Sequence, residues 1–463
     1  MRKLFIGILT SVFLISCEKY LDKKSDKRLV VPTTLNDFRE LLSRDNLYDQ
    51  KVPEIGDIGC DDYYFRDVTF PTMLSTVRNC YIWESDIFQD PALGAPDWSD
   101  PYSVIYVANV VLEGLKNFDI NDAVVQDQWN SINGHALFLR GMMHYFLEET
   151  FGQIYRPASA GTDLGVPLKL TPSLEEKAVR PNVQNVFNQI ITDLETSARL
   201  LPAVTQTKNW PSKASAFAML ARVYLTMQDY TKAGSNADSS LHYFNNLFNY
   251  NNVPNLLNNN NPFSAFTEPF DLPFETLFPI TKTSYSVFSA NAINVDSNLY
   301  NSYNSDDLRK YVYFRRNAAT NTFFFRGNYS FNRFRQFAGP AVDEMYLTRA
   351  ECYARLGDKN AALSDLNTLL EKRWINTVAY PIVVATDAED ALRIILTERR
   401  KELIFRGTRW MDLRRLNQDP RFAVTLKRVL NGQTYSLAPN DRKYTYPIPP
   451  QEIQLSGIQQ NPR

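Results

Sequence analysis

The stretch Val342-Asp343-Glu344-Met345-Tyr346-Leu347-Thr348-Arg349-Ala350-Glu351-Cys352-Tyr353-Ala354-Arg355-Leu356-Gly357-Asp358-Lys359-Asn360-Ala361-Ala362-Leu363 decides the fold. Val342, Met345, Tyr346, Ala350 and Tyr353 recur at helical spacing, and Ala362, Leu363, Leu366, Leu369 and Leu370 make an opposing apolar face. Leu356-Gly357-Asp358 between them reads as a tight turn, so the two helices run antiparallel. The same spacing occurs earlier in the chain. Ala221, Tyr224, Asp229 and Ala233 stand as Ala350, Tyr353, Asp358 and Ala362 do, with Met227-Gln228-Asp229 as the turn. Small alanines let paired helices approach closely, and the tyrosine fills the groove between them. Such pairs cannot bury their stripes alone and must stack.

This unit resembles the tetratricopeptide helix–turn–helix. Other segments extend the pattern. Val104, Ile105, Ala108, Val111, Leu112 and Leu115 form a stripe within 99–118, and a second helix spans roughly 125–151. Asn182 is placed to cap a third helix that runs to Leu200, before Pro202, and a fourth covers about 212–227. The expected fold is mainly α: a tetratricopeptide-like α-α superhelix with helix pairs over about 99–152, 182–247 and 341–417. An insertion over about 248–340 breaks the periodicity with Asn258 to Asn261, many Phe and Tyr, and scattered prolines. A long irregular insertion in a compact domain is usually functional, so short strands and loops are expected on the ligand side of the scaffold.

The N terminus carries an address. Arg2 and Lys3 precede a nearly unbroken apolar run from Leu4 to Ile15, and Cys17 follows the small Ser16. That is the layout of a secretory signal, and the run is well short of the roughly 20 residues that span a bilayer. A cysteine at the cut resembles the lipobox of bacterial lipoproteins, in which Cys17 would be diacylated. The division that follows is a signal peptide over 1–16, a lipidated flexible tether over 17–32 and one domain over 33–463. Each buried acyl CH₂ contributes about 0.8 kcal/mol, so two or three chains hold a protein at a membrane.

Fifty Lys and Arg against 51 Asp and Glu leave no global field that favours nucleic acid. Four cysteines are too few for a disulfide framework. Cys60 and Cys80 could pair, Cys352 reads as a buried thiol, and the absence of CxxC removes support for zinc of that type. His135, His144 and His242 lack metal-pair spacing and read as core or surface residues. No G-x-S-x-G elbow is present, and no catalytic residue, metal site or cofactor is assigned. The adjacent carboxylates Asp61-Asp62 and Asp306-Asp307 could contribute to a structural calcium site, though nothing else supports one. The run from Glu398 to Arg415 reads as helix-surface ion pairs and backbone ties.

With 29 Phe, 25 Tyr and 6 Trp, loop aromatics are the best ligand candidates: Trp83, Trp98, Tyr285, Tyr81, Tyr63, Tyr64 and Trp210. An aromatic plane stacks on the C–H face of a sugar ring while Asn and Asp serve its hydroxyls. Trp98 also has a packing role in view.

Several segments in order resemble the SusD/RagB family of outer-membrane nutrient-binding lipoproteins. They are Trp98, Tyr102, Ile105 and Asn109; Arg140-Gly141 through Phe151-Gly152; Gly165-Val166-Pro167-Leu168; Glu344 to Tyr353; Glu398 to Leu403 with Arg409 to Arg415; Tyr446-Pro447-Ile448-Pro449; and Gln460-Asn461-Pro462. The ending Leu455 to Arg463 is shortened and lacks the closing aromatic. The resemblance implies a non-enzymatic, surface-exposed protein of the outer membrane. It would capture glycans, or peptides as in RagB-type members, and act as the lid of a SusC-like TonB-dependent transporter. A lipid-anchored hydrolase and a purely protein-binding surface protein are the alternatives.

Overall fold

The computed structural model describes residues 32–463 apart from 45–46, 117, 121, 206, 208, 254, 258–274, 283–284, 286, 289–291, 327–328 and 330–335. The signal segment, Cys17, the tether up to residue 31 and Asn258 to Asn261 lie outside the described residues. The longer helices are α1 (Leu35–Leu42), α2 (Pro96–Leu115), α3 (Ala123–Phe151), α4 (Val183–Leu200), α5 (Lys213–Thr226), α6 (Tyr230–Tyr243), α7 (Val342–Arg355), α8 (Lys359–Glu371), α9 (Ala388–Glu402) and α10 (Thr408–Leu416).

Side chains close the helix starts. Asn182, Ser212, Asp229 and Asp358 accept from the backbone N–H groups of Asn185, Ser215, Lys232 and Ala361, which satisfies donors the first turn leaves open. The two repeat copies share one turn. Asp229 N–H donates to Tyr224 O at 3.0 Å, and Asp358 N–H donates to Tyr353 O at 2.9 Å. The turn needs a left-handed residue. Gly357 takes it at φ +91, whereas Gln228 takes it at φ 62 with a side chain that disfavours it.

Consecutive helices pack in a series, α2 on α3, α3 on α4, α4 on α5 and α5 on α6, and α7 then packs on α6, α8 and α9. Ala221, Ala233, Ala350 and Ala362 are wholly buried at the crossings. Gly234 lets α6 meet α7: a Cβ there would stand 3.1 Å from Cys352 Cβ. The fold is thus a helical, tetratricopeptide-like superhelix. Among the described residues one large core runs from α1 to the C-terminal segment, a smaller one joins Leu347, Leu366 and Ile395 across α7, α8 and α9, and another joins Ala218, Ala237 and Met345 across α5, α6 and α7.

Among the described residues, three two-stranded antiparallel ribbons sit beside the helices. They are β1 (Tyr63–Tyr64) with β2 (Asn294–Val295), β3 (Phe314–Asn317) with β4 (Thr322–Phe325), and β5 (Leu426–Leu430) with β6 (Gln433–Leu437). Tyr63 stands opposite Val295, so the insertion folds back on the N-terminal loops.

The structure corrects several expectations. Cys60 and Cys80 are separate buried thiols, as is Cys352. The Glu398 to Arg415 run is an interior network, not a surface one, because α9 and α10 turn these faces into the fold. Arg415 clamps Glu351 at 2.6 and 2.8 Å, Arg399 donates to Asp412 at 2.9 Å, and Arg309 reaches Glu398 at 2.6 Å and Glu402 at 3.1 Å. Guanidinium groups occupy three of the four carboxylates considered for calcium. Arg409 and Arg400 hold Asp61, Arg400 holds Asp62, and Arg309 holds Asp307. His135 and His144 are both interior residues.

Candidate functional site

The family-like helix α2 builds a groove. Trp98, Tyr102 and Tyr106 follow at i, i+4 and i+8 and therefore share one helix face. Trp98 packs edge-on against Phe151, its ring centroid 5.1 Å away, and its Nε1 donates to Glu452 Oε2 at 3.3 Å. Tyr102 donates its hydroxyl to Pro167 O at 2.8 Å. Tyr106 is 43 % exposed. The stripe thus passes from core to solvent along the helix.

The facing wall is the 165–178 segment, which buried polar groups of α2 and α3 hold in place. Asn109 donates through Nδ2 to Lys169 O at 3.0 Å and to Thr171 O at 3.1 Å. Arg140 donates to Asn109 Oδ1 at 3.1 Å and forks onto Asp193 at 2.8 and 2.7 Å. His144 sits between Arg140 O, 2.9 Å from Nδ1, and Lys169 N–H, 3.3 Å from Nε2. The Lys169 N–H makes Nε2 the acceptor, which leaves the proton on Nδ1. Burial, aided by the Arg140 charge, pushes its pKa down to about 3, so the ring is neutral in this role. Glu148 accepts from Val166 N–H at 2.8 Å, and burial pushes its pKa up to about 8.

At the tip of this wall Thr171 donates to Glu176 Oε2 at 2.9 Å, and Lys169 Nζ donates to Glu176 O at 2.7 Å. That closure leaves Leu174 85 % exposed on the groove's rim, and Leu455 of the Pro450–Ser456 helix also borders the groove. The enclosed volume is about 570 Å³, within the few hundred to about 1,000 Å³ typical of ligand clefts. Aromatic faces, backbone-fixed walls and charges of both signs (Lys169, Lys177, Glu175, Glu452) line it. Such a surface can stack a ring and hydrogen-bond its hydroxyls.

Residues 205–463 match the model of the SusD family, and residues 19–225 match a model described as starch-binding associating with outer membrane. The chain belongs to the SusD family. It is 24% identical over 436 residues to SusD-like protein P2 of Formosa agariphila, a match that covers 79% of each chain. Its fold is similar to that of a SusD superfamily protein from Bacteroides thetaiotaomicron, with a TM-score of 0.72, 22% identity, and coverage of 93% of this chain and 100% of that one. A laminarin-binding SusD-like protein also shares the fold, at a TM-score of 0.64 and 18% identity, over 92% of this chain and 98% of that one.

In this SusD-family chain the aromatics expected to be exposed in loops are largely interior. Trp83 is 1% exposed, and its Nε1 donates to Gly59 O at 2.9 Å. Tyr63 donates to Ile58 O, Tyr81 accepts from Phe65 N–H, and both are buried. The cause is Arg428 on β5, whose guanidinium lies 5.4, 4.0 and 5.3 Å from the rings of Tyr63, Tyr81 and Trp83. It donates to Tyr63 O at 2.6 Å and to Cys60 O, tying the segment down from a distant part of the chain. Tyr64 is half-buried and borders a smaller polar cleft with Asp61, Asn298 and Arg400. Tyr285 is half-buried, its N–H donating to Glu54 at 2.8 Å and its hydroxyl to Asp97. Trp210 is half-buried between His135, whose ring meets it edge-on at 4.5 Å, and Arg39 at 5.3 Å. Of the seven, only Trp98 borders the large groove. Tyr106, Lys169 and Leu174 were missed. The aromatic i, i+4, i+8 spacing was a readable signal for Tyr106, and nothing local marks the other two.

Proposed function

We propose that the chain is a non-enzymatic nutrient-binding lipoprotein that captures a glycan in the α2 groove and passes it to a SusC-like TonB-dependent transporter as its lid. The observation that carries this reading is the stripe of Trp98, Tyr102 and Tyr106 along a groove of about 570 Å³ whose polar walls are held by buried side chains. Sugar rings stack on such faces, and Lys169, Thr171 and Glu452 stand ready for their hydroxyls. The family and the laminarin-binding relative support the ligand class. In this reading Cys17 carries the lipid at the outer membrane, and the residues after it form a leash. Tyr64, Trp210 and Tyr285 would be secondary contacts at most, since none borders this groove. Isothermal titration of the mature chain against a panel of polysaccharides, oligosaccharides and peptides tests the proposal. Saturable glycan binding without product release supports it. Turnover would favour the hydrolase, and binding to peptides alone would favour a RagB-type role.

A further inference from the structure

From Arg309 to Arg335 the chain carries seven arginines and lysines and no acidic residue, so the charge of this stretch must be balanced from elsewhere. Arg309 is spent inside the fold on Asp307, Glu398 and Glu402. The β3–β4 ribbon that follows is different. β4 holds three phenylalanines in a row, and strand alternation sends neighbours to opposite faces. Phe323 stacks on Tyr300 of the short helix Ser297–Asn301, centroids 3.5 Å apart, and Phe325 meets Phe405 at 4.7 Å. With Phe314, buried across the ladder from Phe325, they make the inward face. Phe324 therefore turns to the other face, where it is half-buried, and among the described residues no ring packs on it. Thr322 donates to Asn294 on β2 and fixes the ribbon to its neighbour.

Two guanidinium groups flank Phe324. Arg315 stands directly across the ladder from it, a position where opposite side chains are about 5 Å apart. Arg326 follows two residues on, its N–H continuing the ladder to Tyr313 O at 2.7 Å and its Nη1 donating to Tyr311 O at 2.8 Å. Arg315 is exposed, and among the described residues no carboxylate lies within ion-pair distance of it. Burial, and then the Arg315 charge, push the Arg326 pKa down to about 10, so the two cations are near enough to repel. An anion between them relieves that repulsion. Arg316 lies on the opposite face and forks onto Asn321 Oδ1 at 3.0 and 2.8 Å.

We infer that this face of the ribbon binds an acidic glycan, with a sugar ring on Phe324 and its sulfate or carboxylate groups on Arg315 and Arg326. The inference rests on the glycan reading above and adds the charge of the ligand to it. Nucleic acid also offers anions and flat rings, but the α2 groove of the same chain is built for sugars.

Isothermal titration of the mature chain against dextran, carboxymethyl dextran and dextran sulfate of one length tests this, because the three differ only in their charged substituent. An anionic dextran should bind about tenfold more tightly than dextran, and its affinity should fall as salt rises. Which anionic form binds identifies the substituent. Arg315→Ala should weaken that binding about tenfold. Arg315→Lys should restore it only in part, since an ammonium cannot fork onto two oxygens. Arg199→Ala removes an exposed cation on α4 and should change affinity by less than about twofold. Equal losses from Arg315→Ala and Arg199→Ala would reduce the effect to general charge and overturn the inference. So would equal affinity for all three dextrans, or tighter binding of an oligothymidylate. The groove is read separately. If Tyr106→Ala weakens capture of a neutral glycan while Arg315→Ala leaves both anionic dextrans unaffected, the groove stands and this inference falls.

Discussion

Replacing Trp83 with alanine separates a core role from a ligand role. The indole is 1% exposed, donates to Gly59 O at 2.9 Å, and lies under the Arg428 guanidinium, 5.3 Å from the ring. Truncating a buried tryptophan costs about 3–5 kcal/mol, and orphaning the carbonyl adds on the order of 1 kcal/mol. Unfolding entropy of about 2.1 cal/mol/K per residue makes roughly 0.9 kcal/mol/K for a folded chain of this size, so Tm should fall by about 5 °C. The backbone supplies a second reading. Trp83 has φ 58, in the left-handed region, which disfavours any Cβ-bearing residue by about 1–2 kcal/mol and costs glycine little. Trp83→Gly should therefore be no less stable than Trp83→Ala, the reverse of the usual order. Scanning calorimetry reads both variants, and titration with a bound glycan should give an affinity within about twofold of the parent for either. An unchanged Tm with lost glycan binding would refute the burial argument and return Trp83 to the ligand site.

Tyr106→Ala should behave oppositely. It should weaken glycan binding about tenfold through the loss of one stacking face and leave Tm nearly unchanged, since Tyr106 is 43 % exposed. Gln228→Gly should raise stability by about 1 kcal/mol in denaturant titration, because it relieves the left-handed φ 62 at the first repeat turn. Burial alone would raise the Glu351 pKa, but Arg415 and then Arg355 pull it down to about 2 from 4.5. Its ionised form thus contributes about 3 kcal/mol that is fully present above pH 4.5 and lost as pH falls toward 2. Glu351→Gln should be less stable at neutral pH and show a flatter loss across that acid window in urea melts. Cys17→Ala should move the protein from the membrane fraction to the soluble one while the purified chain keeps its glycan affinity, and lost affinity would count against a separate anchor and site.

The Glu398 to Arg415 run shows why a charge pattern is ambiguous. Interleaved Glu and Arg at i, i+4 describe a solvated helix face and an interior lattice equally well. Only the tertiary arrangement of α7, α9 and α10 places Arg415 on Glu351 and Arg399 on Asp412. The same holds for the acidic pairs. Asp61-Asp62 has a calcium-like look until Arg400 and Arg409, far along the chain, occupy its oxygens.

What the chain determines by itself is the helical scaffold, because the information is local. Apolar residues three and four apart commit each stripe, Asn182, Ser212, Asp229 and Asp358 close the helix starts, and an Ala-Tyr-turn-Ala spacing repeats with the same hydrogen bond from Asp to Tyr. Even the Trp98–Tyr102–Tyr106 stripe is written in one helix. Which aromatics meet solvent is settled only in three dimensions. Arg428 draws Tyr63, Tyr81 and Trp83 inward, while Asn109 and His144 hold the 165–178 wall and leave Tyr106 open beside it. Burial depends on partners hundreds of residues away, and no local periodicity encodes them.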